Sequence, residues 1–422
     1  MDKFLIRGGH RLKGVVTVSG AKNAALPCLA ATLLTSEPVR LHNIPRVRDI
    51  VTMERLLAEL GDSSSHAEGE TTVVAGAGDA FHARHELVKT MRASFLVLGP
   101  LLARRRRARV ALPGGCSIGA RPVDLHLEAL GRLGADIRIE HGDIVAEAPH
   151  GLVGAEITFP RITVGGTENL IMAAALARGK TVLKNCAREP EVEDLSRILT
   201  TMGADITGAG TSTVEIQGVR ELDGADHTVL PDRIEAGTYI IAALLAGNGV
   251  TVTNCVPEHL SALFEVLERA GARLSVEANS VIVAGQDSFH GTDFATAEYP
   301  GFATDLQAQT LTLLTQAQGS SLIAETIFEN RFQHVLELKR LGARIHVDGQ
   351  TARIWGPSEL QSATVMASDL RASAALVLAG LIARGETVVD RIYHLDRGYE
   401  LMEEKLRSLG AQIDRFNPGP FL

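Results

Sequence analysis

The stretch Leu133-Gly134-Ala135-Asp136-Ile137-Arg138-Ile139 combines the end of a helix with the start of a strand. Its glycine closes an amphipathic helical run, as a glycine after a helix commonly does, and the residues after it alternate as in a strand. The same ending occurs six times, with glycines 73, 69, 68, 71 and 68 residues apart. The glycines are Gly61, Gly134, Gly203, Gly271, Gly342 and Gly410. Such a regular period predicts six helix-and-strand modules.

A second helix recurs with the same period and is apolar on nearly every face, which is typical of a helix inside a protein. Its six copies are predicted at residues 24–34, 91–103, 169–177, 237–246, 306–317 and 370–383. Because a chain of 422 residues exceeds what one hydrophobic core usually organises, we expect two domains. Three modules per domain follow, each with strands outside, one buried helix and one more exposed helix.

Composition excludes several functional classes. A net charge of -8 does not suit a nucleic-acid-binding surface, and the single basic run, Arg104 to Arg107, is interpreted as a solvated turn. The first residues contain no apolar signal region, and no apolar stretch reaches the roughly 18 residues that a membrane-spanning helix needs. We therefore expect a cytoplasmic protein without membrane insertion.

The four cysteines show no Cys-x-x-Cys spacing, which favours free thiols over a disulfide framework. No His, Cys and carboxylate cluster has ligand spacing in the sequence, so we expect neither a metal nor a cofactor. Cys28, Cys186 and Cys255 are interpreted as core or strand-end residues. Cys116 differs because it lies in a glycine-rich segment beside Arg121, which is the setting of a reactive thiol or a mobile lid.

Polar residues occupy the starts of all six apolar helices. They are Lys22-Asn23, Arg92, Thr167-Glu168-Asn169, Asp232-Arg233-Ile234-Glu235, Thr304-Asp305 and Ser368-Asp369-Leu370-Arg371. Free N–H groups at helix starts favour anions, although Thr304-Asp305 and Ser368-Asp369, taken alone, are better explained as helix caps. Lys22, Arg92 and Arg371 oppose the helix dipole, so their placement predicts a polyanionic ligand.

The motifs as a set resemble the enolpyruvyl transferase family, and the likeness runs from residue 19 to residue 400. The cysteine-loop motif is the most specific of them. The matching segments are Ser19-Gly20-Ala21-Lys22-Asn23-Ala24-Ala25-Leu26-Pro27, Pro113-Gly114-Gly115-Cys116, Ile118-Gly119-Ala120-Arg121-Pro122-Val123-Asp124-Leu125-His126, Arg188-Glu189-Pro190-Glu191, Thr304-Asp305, Asp369-Leu370-Arg371 and Asp396-Arg397-Gly398-Tyr399-Glu400.

This resemblance implies an inside-out α/β barrel fold in two domains, each built from three βαβαββ-type repeats around buried helices. One domain is expected to contain residues 1–20 and 231–422, completed by both chain ends. The other is expected to contain residues 21–230, with a cysteine lid loop at 112–122. The resemblance also implies that the cleft between the domains closes around the nucleotide sugar before phosphoenolpyruvate reacts.

The activity implied by the resemblance is transfer of the enolpyruvyl group of phosphoenolpyruvate to the 3-hydroxyl of UDP-N-acetylglucosamine, with release of phosphate. That reaction is the first committed step of peptidoglycan synthesis. Two alternatives stay open. A 5-enolpyruvylshikimate-3-phosphate synthase would share the fold and chemistry, although the cysteine lid counts against it. A catalytically silent nucleotide-sugar binder would keep the scaffold alone.

Site residues follow from the same match. Asp305 is expected to take the hydroxyl proton, and Cys116 to supply the proton for the methylene carbon. The expected contacts to the phosphate and carboxylate of phosphoenolpyruvate are Lys22, Arg121 and Arg397, with Arg331 and Arg371 nearby. The other expected substrate contacts are Asn23, Arg92, Pro122, Val123, Asp124, Leu125, Arg161, Thr163, Val164, Asp305, Ile327 and Asp369. Two positions depart from the family pattern: Arg161 stands where many relatives have lysine, and Gly166 where many have alanine.

Overall fold

The computed structural model describes residues 2–67, 70–74, 76, 80–88, 91–112, 123–286, 288–417 and 419. Within them the chain divides into two compact units. The terminal unit contains the described residues of Met1–Ser19 and Pro231–Leu422. The inserted unit contains the described residues of Gly20–Gly115 and Arg121–Leu230.

Helices occur at a regular interval through both units. The α-helices are α1 (Lys22–Ala31), α2 (Arg48–Glu59), α3 (His85–Val88), α4 (Leu98–Arg105), α5 (Asp124–Arg132), α6 (Val164–Ala175), α7 (Pro190–Thr201), α8 (Arg233–Ala246), α9 (Ser261–Arg269), α10 (Gln307–Leu314), α11 (His334–Arg340), α12 (Leu370–Ile382) and α13 (Met402–Ser408). Short 3-10 helices are Thr32–Leu34, Arg92–Val97, Pro257–Leu260, Thr304–Leu306 and Ile392–Arg397.

The strands are mostly short. They are β1 (Lys3–Arg7), β2 (Leu12–Thr17), β3 (Val39–His42), β4 (Ser63–Ala67), β5 (Glu70–Val74), β6 (His82–Ala83), β7 (Arg107–Ala111), β8 (Asp136–Glu140), β9 (Asp143–Glu147), β10 (Glu156–Thr158), β11 (Lys180–Lys184), β12 (Asp205–Thr207), β13 (Thr213–Gln217), β14 (Ala225–Thr228), β15 (Gly247–Thr253), β16 (Leu274–Val276), β17 (Ser280–Val283), β18 (Phe289–His290), β19 (Phe294–Ala295), β20 (Ala317–Ala324), β21 (Arg344–Asp348), β22 (Thr351–Gly356), β23 (Thr364–Met366), β24 (Glu386–Asp390) and β25 (Gln412–Phe416).

The described strands form three sheets in each unit, and all six sheets share one pairing pattern. In the sheet β10-β11-β13-β12, for example, the first pair is parallel and the other two pairs are antiparallel. The inserted unit also contains β14-β3-β5-β4 and β6-β7-β9-β8. The terminal unit contains β23-β24-β1-β25, β16-β17-β15-β2 and β18-β20-β22-β21, with β19 also paired to β20. The repeat predicted from the glycine period is therefore a repeat of whole sheets.

Two of the parallel pairs join strands that are far apart in the chain. β2 pairs with β15, and β14 pairs with β3, whereas a parallel pair such as β10 and β11 is joined directly through α6. A parallel pair needs a helix between its strands, and here α8 precedes β15 while α1 precedes β3. The chain therefore leaves one unit after β2 and returns to it after β14.

The apolar helices are buried, as predicted, and the sheets lie outside them. In α12 every residue from Arg371 to Leu381 is buried, and α6 is buried from Gly166 to Ala175. Burial of these apolar faces supplies the main driving force for folding of each unit. The fold is thus the inside-out α/β architecture of helices enclosed by sheets.

Some helix bounds differ from the prediction. α6 begins at Val164 rather than 169, and α8 begins at Arg233 rather than 237. Both first turns are polar or glycine-rich, so the apolar pattern does not include them, and side-chain caps from Thr163 and Asp232 start the helices instead. At the other end, α10 stops at Leu314, before the predicted residue 317.

The repeated glycines have the conformation that the sequence predicts. Gly134 follows α5 with a φ of 93°, and Gly203 follows α7 with a φ of 100°. A positive φ at this position is accessible to glycine without the Cβ strain of other residues. The same holds for Gly61, Gly271, Gly342 and Gly410.

The basic run is not simply a solvated turn. Arg106 is exposed and has a left-handed backbone conformation, as in a turn. In contrast, the side chain of Arg105 is only 6% exposed and donates to the Leu60 carbonyl at 2.9 Å. Arg104 likewise donates to the Leu33 carbonyl at 3.1 Å. The prediction was wrong for these two residues because long side chains can reach back to carbonyl groups of neighbouring elements.

Two further expectations concern the thiols and the membrane. Cys28, Cys186 and Cys255 are free and buried, as predicted, while Cys116 lies outside the described residues. Among the described residues, no helix has both the length and the apolar character needed to cross a bilayer.

Candidate active site

In the terminal unit, Asp305 lies in the short 3-10 helix that leads into α10, and two arginines hold its carboxylate. Oδ1 accepts from Nη2 of Arg331 at 2.7 Å. Oδ2 accepts from Arg371 twice, from Nε at 3.0 Å and from Nη2 at 2.8 Å. The proposed base and two of the expected cations therefore form one cluster, and Asp305 is not a helix cap.

The three charged side chains of this cluster differ in their exposure to solvent. Both arginine side chains are only 4% exposed, whereas the Asp305 side chain is 27% exposed. Burial alone would lower the pKa of Arg371, but Asp305, Tyr399 and Asp232 together outweigh burial and raise that pKa above its ordinary value. Asp305 is therefore the most exposed of the three charged side chains, although both arginines donate to its carboxylate.

Glu325 is a positioning residue that sequence reasoning missed. It is buried, and its Oε1 accepts from Thr296 Oγ1 at 2.9 Å and from the backbone N–H of Ile327 at 3.0 Å. Its Oε2 accepts from Thr304 Oγ1 at 3.0 Å. One carboxylate therefore fixes both the residue before Asp305 and the turn that carries the predicted contact Ile327.

The start of α12 is fixed by Asp369, which caps the helix as the sequence predicted. Oδ1 of Asp369 accepts from the backbone N–H of Arg371 at 2.9 Å and of Ala372 at 3.0 Å. Ser368 donates to Oδ2 at 3.2 Å. Arg397 ends the 3-10 helix Ile392–Arg397 in the same unit. Burial lowers the pKa of His394, and the positive charge of Arg397 lowers it further.

In the inserted unit, Lys22 is the first residue of α1 and lies 3.2 Å from Asp49 Oδ2. The two side chains are 11% and 5% exposed. Asp49, in the first turn of α2, is a second residue that the sequence analysis missed, because nothing local marks it as a partner of Lys22. Carboxylate partners thus stabilise Lys22 and Arg371 at their helix starts before any anion binds.

The start of α6 depends on a close contact between two residues. Thr163 Oγ1 accepts from the backbone N–H of Gly166 at 3.2 Å. A Cβ at residue 166 would lie 2.4 Å from Thr163 Cγ2, so alanine there would force Thr163 to move. The glycine that departs from the family pattern therefore fits this cap. Val164 and Arg161 are exposed beside it.

Arg92 and Asp124, two other predicted contacts of the inserted unit, act electrostatically on His126 at the start of α5. Burial, then the positive charge of Arg92, lowers the pKa of His126 to about 4, which keeps the ring neutral. Its Nδ1 lies 3.2 Å from the Asn169 amide nitrogen, so the amide can donate to it. Near it in the chain, Val123 and Leu125 are buried, whereas Asp124 is exposed. Asn23, in α1, is exposed as well.

Each unit therefore contains part of the expected set. The terminal unit has Asp305, Ile327, Arg331, Asp369, Arg371 and Arg397, and the inserted unit has Lys22, Asn23, Arg92, Val123, Asp124, Leu125, Arg161, Thr163 and Val164. Cys116, Arg121 and Pro122, with the lid loop prediction, lie outside the described residues. Within the terminal unit, two buried arginines surround one partly exposed carboxylate, that of Asp305.

Comparison with known proteins gives consistent matches over nearly the whole chain. The family model described as EPSP synthase (3-phosphoshikimate 1-carboxyvinyltransferase) matches residues 6–406. The UDP-N-acetylglucosamine 1-carboxyvinyltransferase of Solibacter usitatus is 57% identical, covering 98% of this chain and 100% of the relative. The enzyme of the same name from Koribacter versatilis is 56% identical, covering 98% and 96%.

Solved structures agree with these sequence matches. The enolpyruvyl transferase NikO from Streptomyces tendae superposes with a TM-score of 0.89 at 30% identity, covering 98% of this chain and 99% of the other. EPSP synthase from Acinetobacter baumannii gives a TM-score of 0.76 at 18% identity, covering 99% and 100%. The second likeness shows the fold alone.

Proposed function

Because the chain belongs to the enolpyruvyl transferase family, we propose that it transfers the enolpyruvyl group of phosphoenolpyruvate to the 3-hydroxyl of UDP-N-acetylglucosamine and releases phosphate. This is the first committed step of peptidoglycan synthesis. The acceptor is supported most directly by the names of relatives that are 56–57% identical over 98% of the chain.

The alternative acceptor, shikimate 3-phosphate, has weaker support. EPSP synthase structures are 18% identical to this chain, which is a likeness of fold. A silent binder would need no base, yet Asp305 keeps a partly exposed carboxylate among buried arginines. Turnover therefore explains the site better than binding alone.

Addition begins when the sugar hydroxyl oxygen attacks C2 of phosphoenolpyruvate. Asp305 takes the hydroxyl proton, and Cys116 supplies a proton to the methylene carbon C3. Because Arg331 and Arg371 stabilise the ionised form of Asp305, its proton transfer should accompany formation of the new C–O bond. The product of this step is a tetrahedral ketal carrying phosphate and carboxylate.

Elimination then breaks the bond between C2 and the bridging oxygen. The Cys116 thiolate takes a proton back from the methyl carbon, and the electrons of that C–H bond form the enol double bond. Phosphate departs with the bridging oxygen, and Asp305 returns its proton to the phosphate. Lys22, Arg121 and Arg397 are proposed to hold the phosphate and carboxylate charges through both steps. Arg331 and Arg371 act on the same centre through Asp305.

Isotopic labelling tests this reaction class. Phosphoenolpyruvate with heavy oxygen in its ester bridge should deliver the label to inorganic phosphate, since the C–O bond breaks. Label retained in the organic product would mean P–O cleavage and would exclude enolpyruvyl transfer. Mass spectrometry of the released phosphate distinguishes the two.

A further inference from the structure

Three potential metal ligands meet inside the inserted unit, and none of them is among the residues proposed for enolpyruvyl transfer. They are Cys28 on α1, Asp194 on α7 and His227 on β14. One atom of each (Sγ, a carboxylate oxygen and an imidazole nitrogen) lies within 4.8 Å of the other two. Cys28 and Asp194 are 0% exposed, and His227 is 6% exposed.

The hydrogen bonds around this cluster leave one ligand atom unsatisfied. Nε2 of His227 is buried and has no hydrogen-bond partner among the described residues, although it lies 3.2 Å from Asp194 Oδ2. Asp194 is held by the backbone N–H of Leu230 and by Arg197, each at 3.3 Å. A buried polar atom without a partner is uncommon and calls for a bound group or another explanation.

We propose that Cys28, Asp194 and His227 bind a divalent, thiolate-preferring cation of the Zn²⁺ class. Sulfur, imidazole nitrogen and carboxylate oxygen are the ligands that Zn²⁺ prefers, at about 2.0–2.3 Å. Tetrahedral bonds of that length place the ligand atoms less than about 4 Å apart, so small side-chain movements complete the site.

Charge balance favours such an ion at this depth. A divalent cation, one thiolate, one carboxylate and a neutral imidazole sum to zero, which suits a buried position. Binding releases the Cys28 thiol proton to solvent and forms the metal–sulfur bond.

Two groups next to Asp194 affect how the site would bind a metal ion. Arg197 lowers the affinity for a cation through its charge, but its side chain is 58% exposed and can turn to solvent. The backbone N–H of Leu230 orients one oxygen of Asp194. The fourth metal position is left to the second oxygen of Asp194 or to water.

The position of β14 in its sheet gives a metal ion a path to the three ligands, and a bound ion would affect the stability of the inserted unit. β14 is the edge strand of the sheet β14-β3-β5-β4, so His227 can separate from the helices without breaking a central strand. A bound ion would connect α1 to α7 and β14, which both lie far from α1 in the chain. The site should therefore stabilise the inserted unit rather than take part in group transfer.

The test uses the full chain without an affinity tag, in a Cys116→Ser background that removes the thiol proposed to be reactive. Co²⁺ titration should give a thiolate-to-cobalt charge-transfer band that saturates at one ion per chain. Zn²⁺ should displace the cobalt and raise the melting temperature. Cys28→Ser should abolish the band, and His227→Asn should weaken Co²⁺ binding at least about tenfold, the loss that even removal of a ligand's hydrogen-bond partner can produce.

Cys186→Ser is the matched control, because Cys186 is a buried cysteine of the same unit. That variant should keep the band and the stoichiometry. A Co²⁺-treated parent protein without a thiolate band would overturn the proposal, whether or not the variants fold. So would a band that survives Cys28→Ser or disappears in Cys186→Ser.

Discussion

Arg371 donates to one carboxylate oxygen of Asp305 through two nitrogens, at 3.0 and 2.8 Å, although the two residues are 66 positions apart. This contact joins the start of α12 to the start of α10. A paired geometry of this kind fixes the direction of the carboxylate as well as its charge. Asp305 is thus held in place before substrate arrives.

Asp305→Asn should lower turnover by at least about a hundredfold, because a positioned base typically contributes roughly 10²–10⁴. Binding of UDP-N-acetylglucosamine should remain measurable by calorimetry. Asp414→Asn is the control, since Asp414 lies in the same unit with a side chain 59% exposed. Near-normal turnover in Asp305→Asn would remove Asp305 from the base role.

Glu325→Ala should raise the KM for the nucleotide sugar and lower the free energy of unfolding. It leaves the partly buried backbone N–H groups of Ile327 and Phe328 without their acceptor, which costs at most about 1–3 kcal/mol for each group. Glu325→Gln should restore most of both quantities, because its amide oxygen can accept from the same N–H groups. If alanine and glutamine behave alike, Glu325 does not position this turn.

Glu235 should make the stability of the terminal unit depend on pH. Its pKa is raised to about 7, mainly by burial, although Lys405 donates to it at 2.7 Å and opposes the shift. Since the ordinary value is about 4.3, the native state binds the extra proton between the two values. Stability from this group is present below about pH 4.3 and is lost as the pH rises through about 7.

Chemical denaturation from pH 5 to 8 measures this effect. Glu235→Gln should flatten the decline in unfolding midpoint relative to the parent chain. Glu359→Gln, whose side chain is 74% exposed, should leave the decline unchanged. An identical slope in Glu235→Gln would mean that Glu235 is ionised throughout this range.

Fosfomycin, an epoxide similar to phosphoenolpyruvate in size and charge, should label Cys116 alone. The other thiols are buried, and burial raises the pKa of Cys186 to about 11 and also that of Cys28 and Cys255. Labelling should be faster with UDP-N-acetylglucosamine present. Peptide mapping that finds adducts on the three buried cysteines would contradict the assignment.

Substitutions at the same residue separate acid from nucleophile. Cys116→Asp should keep activity and escape the label, because a carboxyl group can carry the proton but opens an epoxide poorly. Cys116→Ser should lose most activity, since an alcohol is too weak an acid. Full activity in the serine variant would remove Cys116 from the acid role.

Local signals in the sequence predicted much of the fold. The glycine after each amphipathic helix and the apolar character of helices such as α12 depend on nearby residues, so both could be recognised. The pairing of β14 with β3 could not, because it joins strands separated by most of the inserted unit. Helix starts such as Val164 were also missed, because polar first turns hide them.

The sequence likewise predicted some residues of the candidate site and missed others. Asp305, Arg371 and Lys22 stand in recognisable motifs, whereas Asp49, the partner of Lys22, and Glu325, which holds Thr304, do not. Asp49 and Glu325 were missed because an ion pair or a hydrogen bond across the fold leaves no spacing in the sequence. The proposed metal ligands Cys28, Asp194 and His227 were missed for the same reason, because they come together only in the folded chain.

Phosphate release with each of two acceptors tests both the proposed activity and the proposed acceptor. The purified chain is given phosphoenolpyruvate with UDP-N-acetylglucosamine or with shikimate 3-phosphate, and inorganic phosphate is measured over time. Our account predicts sustained release with the nucleotide sugar and background release with shikimate 3-phosphate. Release with shikimate 3-phosphate alone would contradict the proposed acceptor, and no release with either would contradict the proposed activity.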